Sequence, residues 1–176
     1  MKRKNGKKSL FTGGALALAL ALLMTIGLLP AVPAQAATET VDMRISYQLD
    51  GVSSVGKGMP FGATFYFAFL DGNAKGALEN NISTAKVTVS ASGIALSKKS
   101  FDLQECEIDE LPEGIATTYN SPTHCVYIPE QYMTNTGRSV ATLKFTITWE
   151  SSSTNYRATG QKTITECQLD EGATSE

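Results

Sequence analysis

The sequence predicts an all-β mature domain, an immunoglobulin-like antiparallel β-sandwich of seven or eight strands, preceded by a signal-peptide helix. Two observations predict the sandwich: apolar and polar side chains alternate along several segments, and turn-forming residues separate those segments. Alternation with a period of two is typical of strands that have one buried and one solvated face. A long apolar stripe at helical spacing is missing from the sequence after residue 36, so we expect no substantial helix there.

The first 36 residues have the composition of an export signal. Five basic residues precede an uncharged apolar run over residues 10–29, and small residues occupy positions 34 and 36, where a signal peptidase requires them. We expect cleavage between Ala36 and Ala37, which gives a signal peptide (1–36), a sandwich domain (37–170) and a polar tail (171–176). The alternative is an uncleaved anchor, because the run approaches the ~20 residues that span a bilayer.

Cleavage would make the mature chain acidic. Ten Lys and Arg would remain against 17 Asp and Glu, a net charge of about −7. Binding of nucleic acid or anionic lipid relies on clustered Lys and Arg, and the mature sequence has no such cluster along the chain. We therefore expect neither partner. A second apolar stretch of spanning length is also missing, so we expect a secreted or envelope-associated protein with no membrane span after cleavage.

The first half of the mature chain contains the clearest alternation. The first predicted strand covers residues 41–49, and Gly and Ser then predict a loop over residues 51–60. The second strand, residues 63–70, is apolar on both faces, which predicts a central position in its sheet. The polar residues 71–83 are interpreted as a loop or a short helical turn.

The middle of the chain predicts shorter strands. Residues 85–91 alternate clearly, and residues 94–96 and 101–103 form one interrupted strand or two short ones. The stretch 105–120 is acidic and irregular. Residues 125–128 lie between two prolines and predict an edge strand, because proline cannot donate a hydrogen bond to a neighbouring strand.

The last third predicts a loop over residues 132–138 and then the second strong strand, residues 143–150. Trp149 is in phase with the apolar residues of that strand, so we expect it in the core. Ser and Asn predict a hairpin loop at residues 151–155, and a final strand is expected within residues 156–169.

Four segments together carry a resemblance to a known class of module: "VDMRISYQL", "FGATFYFAF", "TAKVTVSASGIAL" and "NTGRSVATLKFTITW". Their order resembles that of the extracellular immunoglobulin-like modules of Gram-positive bacterial surface proteins. The resemblance is one of pattern and includes no diagnostic motif. It implies a displayed or secreted module for adhesion, spacing or envelope assembly, and it assigns no functional residues.

Three cysteines remain after export, an odd number in a compartment that permits disulfides. A bond from Cys106 to Cys125 would close a loop of 20 residues, worth about 3 kcal/mol in the chain-entropy model. It would leave Cys167 as an unpaired thiol. The sequence leaves the pairing open.

Catalytic and metal sites have little support in the sequence. His124 is the only histidine, and on a strand it and Cys125 would point to opposite faces, which disfavours a zinc site completed by Cys106 and Cys167. The carboxylates of residues 105–113 lie in an irregular segment, which favours a solvated loop over a glycosidase pair. Loop oxygens leave calcium binding open, either from Asp109, Glu110 and Glu113 or from Asp71 and Asn73. We expect no enzyme, metal or cofactor.

The remaining hypothesis is a non-enzymatic module that binds a protein or a glycan at the cell envelope, for adhesion, spacing or interaction. The alternative is a carbohydrate-binding module of sandwich fold, whose contacts would come from tyrosines in or beside loops. The candidate residues are Tyr119, Tyr132 and Tyr156, with Tyr127 a further tyrosine of this kind. Lys86 and Lys144 lie on the polar phase of their strands, which argues against an internal Lys–Asn cross-link.

Overall fold

The structure is a computed structural model, and it describes residues 36–106, 111–112, 115 and 121–169. These residues are mostly β-strand, with one α-helix. The prediction of an all-β sandwich is therefore confirmed at this level. The predicted signal peptide, the segment 116–120 and the polar tail lie outside the described residues, as does most of the acidic stretch 107–114.

Eleven strands are present in the described part of the chain, more than the seven or eight predicted. They are β1 (Ala37–Val41), β2 (Met43–Leu49), β3 (Ala63–Phe69), β4 (Lys86–Ser92), β5 (Ile94–Leu96), β6 (Ser100–Phe101), β7 (Gln104–Glu105), β8 (His124–Ile128), β9 (Met133–Asn135), β10 (Thr142–Glu150) and β11 (Thr154–Thr163). The helix α1 (Gly72–Asn80) is followed by a 3₁₀ turn at Ile82–Thr84, and a second 3₁₀ turn covers Glu130–Tyr132. The count exceeds the prediction because several strands are only two or three residues long.

The strands form two main sheets and a small pair. The five-stranded sheet has the order β1-β11-β10-β4-β6, the four-stranded sheet has the order β2-β3-β8-β7, and β5 pairs with β9. Neighbouring strands are antiparallel except for β1, which runs parallel to β11. β3 lies between β2 and β8 and is buried on both faces, so its predicted central position is confirmed.

Aromatic rings join the inner faces of the two sheets. Phe145 of the five-stranded sheet lies 4.8 Å from Phe65 and 5.2 Å from Phe67, measured between ring centroids. Trp149 lies 5.3 Å from Phe69 in an edge-to-face arrangement and is 1% exposed, which confirms its predicted place in the core. Each such side chain contributes on the order of 1.5–3 kcal/mol when it is fully buried. The core therefore lies between the sheets, on the apolar phase of the strands.

The predicted first strand is two strands in different sheets. β1 pairs with β11, whereas β2 pairs with β3, and Asp42 lies at the crossing. The backbone N–H of Leu70 donates to the carbonyl oxygen of Asp42 at 3.0 Å. The prediction of one continuous strand was wrong because the chain changes sheet without changing which side chains point inward: Val41 and Ile45 both pack in the core.

The helix α1 is longer than the loop or short helical turn that was expected at residues 71–83. The Asp71 side chain caps the helix by accepting a hydrogen bond from the Ala74 backbone N–H at 2.8 Å. The buried residues of the helix are Ala74 and Leu78, which lie one turn apart. Two apolar positions make a stripe too short to separate from a loop in the sequence, and Gly72 and Gly76 lower the helix propensity further.

Two predictions in the 124–138 region need correction. β8 was expected at an edge, but it lies between β3 and the two-residue strand β7. Residues 132–138 were expected as a loop, but residues 133–135 form β9 against β5. Pairing of such short strands depends on distant neighbours, so the local sequence carries little signal for it.

Asn135 at the end of β9 is fully buried and connects three segments. Its amide nitrogen donates to the carbonyl oxygens of Val55 at 2.8 Å and Gln168 at 3.2 Å, and its side-chain oxygen accepts from the Gly137 backbone N–H at 2.9 Å. Val55 also forms an isolated bridge with Cys167. The loop before β3 and the segment after β11 are thus fixed to β9 by one side chain.

Candidate binding surfaces

His124 lies inside the sandwich. It is 0% exposed, its Nδ1 lies 2.9 Å from the Thr123 hydroxyl, and its ring packs edge-to-face against Phe69 with centroids 5.8 Å apart. Its Nε2 has no hydrogen-bond partner among the described residues. Burial lowers the pKa of His124 below its usual value, because the charged ring would lose its hydration. In this arrangement the imidazole does not reach a solvent-borne substrate.

The cysteines lie in two places. Cys125 points to the outer face of the four-stranded sheet, opposite in direction to His124 as the sequence predicts, and the thiols of Cys106 and Cys125 are hydrogen bonded to each other. Burial and the neighbouring Cys125 raise the pKa of Cys106 to about 12, and burial raises that of Cys167 to about 11. Thiols with such pKa values are protonated at neutral pH and are poor nucleophiles.

The three cysteines are free thiols in the structure. The fold brings Cys106 and Cys125 together on adjacent strands, whereas Cys167 bridges to Val55 in the segment after β11. The pairing of Cys106 with Cys125 and the unpaired state of Cys167 therefore remain predictions for the oxidised protein.

The first open concavity, which we call the tyrosine groove, lies beside β6, β7 and β8 and has a volume of about 260 Å³. Lys98 lies over the rings of Phe101 and Tyr132, with its Nζ 5.1 Å and 5.4 Å from the two centroids. Tyr127 is 42% exposed, and its hydroxyl donates to Asp50 at 2.9 Å. The lining residues are Lys98, Phe101, Asp102, Gln104, Tyr127, Pro129, Gln131 and Tyr132.

A second concavity of about 370 Å³ continues from the other side of Tyr127. Its walls come from the end of β2, the following turn and the start of β3: Gln48, Leu49, Asp50, Gly51, Thr64 and Tyr127. The hydrogen bond to Asp50 raises the pKa of the Tyr127 phenol, so this hydroxyl stays protonated at physiological pH. Tyr127 thus stands between two open cavities lined with amide, hydroxyl and carboxylate groups.

The third concavity, which we call the basic concavity, lies on the outer face of the five-stranded sheet and has a volume of about 260 Å³. Thr148 of β10 is opposite Lys86 on one side and Arg157 on the other, so this concavity contains two cations on alternate strands. At the inner boundary of this concavity the ring of Tyr156 stacks on the ring of Trp149, with the two ring centroids 5.3 Å apart. The lining residues are Thr38, Thr84, Lys86, Thr148, Trp149, Glu150, Asn155, Tyr156 and Arg157.

The predicted tyrosine contacts do not form one patch. Tyr132 lines the tyrosine groove, Tyr156 lines the basic concavity, and Tyr119 lies outside the described residues. Sequence reasoning missed Phe101 as a partner of Tyr132, because these residues come together only through pairing of distant strands. It also missed the convergence of Lys86 and Arg157, which are 71 positions apart in the sequence.

Residues 36–106 and 121–169 contain no group of three or more His, Cys, Asp or Glu side chains arranged to hold a metal ion. Of the loop oxygens considered for calcium, Asp71 is the helix cap, and those between residues 109 and 113 lie outside the described part. In the same described part, no helix is both long and apolar enough to cross a membrane.

Comparison with known proteins yields one structural likeness. No family model matches the chain, and no curated protein matches it. Among solved structures, the chain is similar to the GAE domain of GGA2p from Saccharomyces cerevisiae at 12% sequence identity, over 70% of this chain and 90% of that chain, with a TM-score of 0.28. A likeness at this level assigns no function to the chain.

Proposed function

We propose that the chain is a non-enzymatic β-sandwich module that is exported and binds a partner at the cell envelope through its outer faces. The observation that carries this proposal is the burial of His124, the only histidine in the sequence, at 0% exposure. Hydrolytic triads and thiol enzymes need an accessible imidazole to move a proton. The raised pKa values of Cys106 and Cys167 also argue against a thiol enzyme.

Export is supported by the basic and apolar N-terminus with its small-residue cleavage site. Structural spacing, adhesion and display on a surface are all compatible with a sandwich that presents open concavities on two sides. Sequencing of the N-terminus of the exported protein tests this part. We expect it to begin at Ala37, and a mature protein that retains residues 1–36 would contradict the proposal of cleavage.

The binding function is tested by co-sedimentation of the purified protein with isolated cell envelopes. We expect the protein to sediment with the envelopes in a saturable way. We expect His124→Ala to lower the stability of the protein and to leave its envelope binding unchanged. Hydrolytic turnover of an envelope substrate that disappears in His124→Ala would overturn the non-enzymatic assignment. Failure of the protein to sediment with any envelope fraction would overturn the binding assignment.

A second candidate function is carbohydrate binding in the tyrosine groove. It is favoured by the exposed ring of Tyr127, which adjoins Tyr132 in a cavity with amide and carboxylate groups from Gln104, Gln131 and Asp102. Aromatic rings and planar polar side chains are the groups that bind sugar faces and hydroxyls. A neutral sugar of one or two units is the ligand that such a small cavity fits.

A glycan array with the unsubstituted protein and three variants tests this candidate. We expect Tyr127→Ala and Tyr132→Ala to abolish specific binding, whereas Tyr156→Ala, which changes a tyrosine in a different cavity, retains it. Thermal unfolding of each variant verifies that the fold is kept. Equal loss of binding in all three variants, or no specific binding by the unsubstituted protein, would contradict a sugar site in this groove.

A further inference from the structure

We propose that the outer face of the five-stranded sheet binds an anionic polysaccharide, a glycan that carries carboxylate, sulfate or phosphate groups. This inference rests on the proposed function as a binding module and names the partner class of one face. The face, which we call the basic face, comprises the outward residues of β1, β11, β10, β4 and β6: Thr38, Thr40, Asn155, Arg157, Thr159, Gln161, Thr163, Thr142, Lys144, Thr146, Thr148, Glu150, Lys86, Thr88, Ser90, Ser92 and Ser100.

The charge of the basic face is opposite to that of the chain around it. The face holds Lys86, Lys144 and Arg157 against a single carboxylate, Glu150, whereas residues 37–176 as a whole have ten Lys and Arg against 17 Asp and Glu. Within the described residues, none of these three cations has a carboxylate at ion-pair distance. A local excess of positive charge attracts an anionic ligand and orients its approach.

Two of the cations share the basic concavity. Lys86 and Arg157 are the neighbours of Thr148 on its two sides, so strand spacing places their Cα atoms about 10 Å apart across the sheet. Both side chains are exposed, and the concavity between them and Asn155 has a volume of about 260 Å³. A guanidinium and an ammonium so placed can bind two anionic groups of one ligand, or one group from both sides.

Hydroxyl groups form continuous rows across the rest of the basic face. One row runs across four strands and another across three, each with one Ser or Thr per strand. The first consists of Thr159, Thr146, Thr88 and Ser100, and the second of Thr163, Thr142 and Ser92. In the second row the hydroxyls of Thr142 and Thr163 lie 3.2 Å apart. The hydroxyls of Thr88 and Ser100 donate to the carbonyl oxygens of Thr146 and Val87, so these two have only acceptor lone pairs left for a ligand. Hydroxyl oxygens along the rows can accept hydrogen bonds from the hydroxyls of a sugar chain.

The composition of the face favours a glycan over a protein or a nucleic acid. All 17 of its residues are polar, as the alternation of the strands requires. The centre of a protein interface is enriched in aromatic residues, and single-stranded nucleic acid stacks its bases on aromatic rings. None of the 17 outward residues is aromatic, and the two aromatic residues that border the basic concavity, Trp149 and Tyr156, are paired on the inner phase of β10 and β11.

The experiment titrates the purified protein with four probes: dextran sulfate, polygalacturonate, unmodified dextran and a DNA duplex. We expect binding to one or both acidic polysaccharides that weakens as salt is added, and no binding to dextran. The variant Lys86→Glu/Arg157→Glu is expected to lose about tenfold or more in affinity, because two attractive contacts become repulsive. Circular dichroism and thermal unfolding verify that this variant and its matched control fold.

The matched control is Arg44→Glu/Lys99→Glu, which makes the same change in net charge outside the basic concavity; Arg44 lies on the outer face of the other sheet. We expect this variant to bind within about twofold of the unsubstituted protein. Equal loss of affinity in both variants, equal binding of dextran, preference for the DNA duplex or no binding of either acidic polysaccharide would each overturn the inference. Envelope sedimentation that persists in Lys86→Glu/Arg157→Glu would leave the proposed function standing without this face.

Discussion

Asn135 and His124 are both fully buried polar side chains, yet they occupy opposite kinds of environment. The side-chain groups of Asn135 are paired with backbone groups of Val55, Gln168 and Gly137. His124 packs against Phe69, and its Nε2 has no partner among the described residues. A buried polar group that is paired stabilises its surroundings, whereas an unpaired one costs the hydration that it loses.

The difference follows from what surrounds each residue. Asn135 lies where the loop before β3 meets the segment after β11, which are joined by the isolated bridge of Val55 and Cys167. Its side chain has both a donor and an acceptor and adds to the backbone pairing there. His124 lies on the inner face of β8, where its ring contacts Phe69, which in turn contacts Trp149 of the other sheet. Burial of a polar side chain therefore does not by itself indicate that it stabilises the fold or has a function. Hydrogen-bond partners distinguish Asn135 from His124.

Of the two buried polar side chains, Asn135 is expected to show the larger effect, in the variant Asn135→Ala. The substitution removes the side-chain partner from the carbonyl oxygens of Val55 and Gln168 and from the Gly137 N–H. The Val55 carbonyl keeps a hydrogen bond from the Gln168 backbone N–H, and a buried group that is left unpaired costs about 1–3 kcal/mol. We expect the free energy of unfolding to fall by about 3 kcal/mol, measured by urea denaturation. Asn73→Ala on the exposed side of α1 is the control and should change it by less than about 0.5 kcal/mol. A loss below about 1 kcal/mol in Asn135→Ala would show that the three segments do not depend on this side chain.

The second prediction concerns pH and His124. Because burial lowers the pKa of His124 in the folded state, the unfolded chain takes up a proton below about pH 6.5 that the folded chain resists. The free energy of unfolding should therefore decrease as the pH falls below that value. Glu105 and Glu79 oppose the shift and Lys75 reinforces it, but desolvation is the larger cause.

Urea denaturation of the wild type and of His124→Phe between pH 8 and pH 5 measures this effect. We expect the variant to lose less stability than the wild type over this interval, because phenylalanine does not take up a proton. Parallel curves for the two proteins would show that other groups carry the acid sensitivity.

The smallest effect is expected from Trp149→Phe. The indole Nε1 has no hydrogen-bond partner in the described part of the chain, so the substitution removes an unpaired buried donor. The smaller phenyl ring keeps part of the contacts with Phe69 and Tyr156. Loss of ring volume and loss of the unpaired donor act in opposite directions, and we expect a net decrease of about 1 kcal/mol or less. Trp149→Ala, which removes the ring entirely, should cost about 3–5 kcal/mol. Equal losses in the two variants would contradict the assignment of an unpaired donor.

Much of the strand pattern was predictable, and the exceptions share a cause. Residues 143–150 alternate so regularly that the burial of Trp149 followed from its position alone. The sequence allowed only a loop or a short helical turn where α1 lies, because Ala74 and Leu78 are its only buried residues. A turn at Asn135-Thr136-Gly137 is indicated by the sequence, but nothing there indicates the other two partners, since Val55 and Gln168 are 80 and 33 positions away.

The sequence by itself determined the β-class of the mature chain, the phase that points inward in its long strands, and the opposite directions of His124 and Cys125. These properties are local, because side-chain alternation is set by the geometry of a single extended strand. Only the tertiary structure decided that β1 and β2 belong to different sheets, that Tyr132 and Tyr156 lie in separate cavities, and that Lys86 and Arg157 flank Thr148. Strand partners are chosen by burial of the whole core, and a charge count along the chain does not record which strands become neighbours.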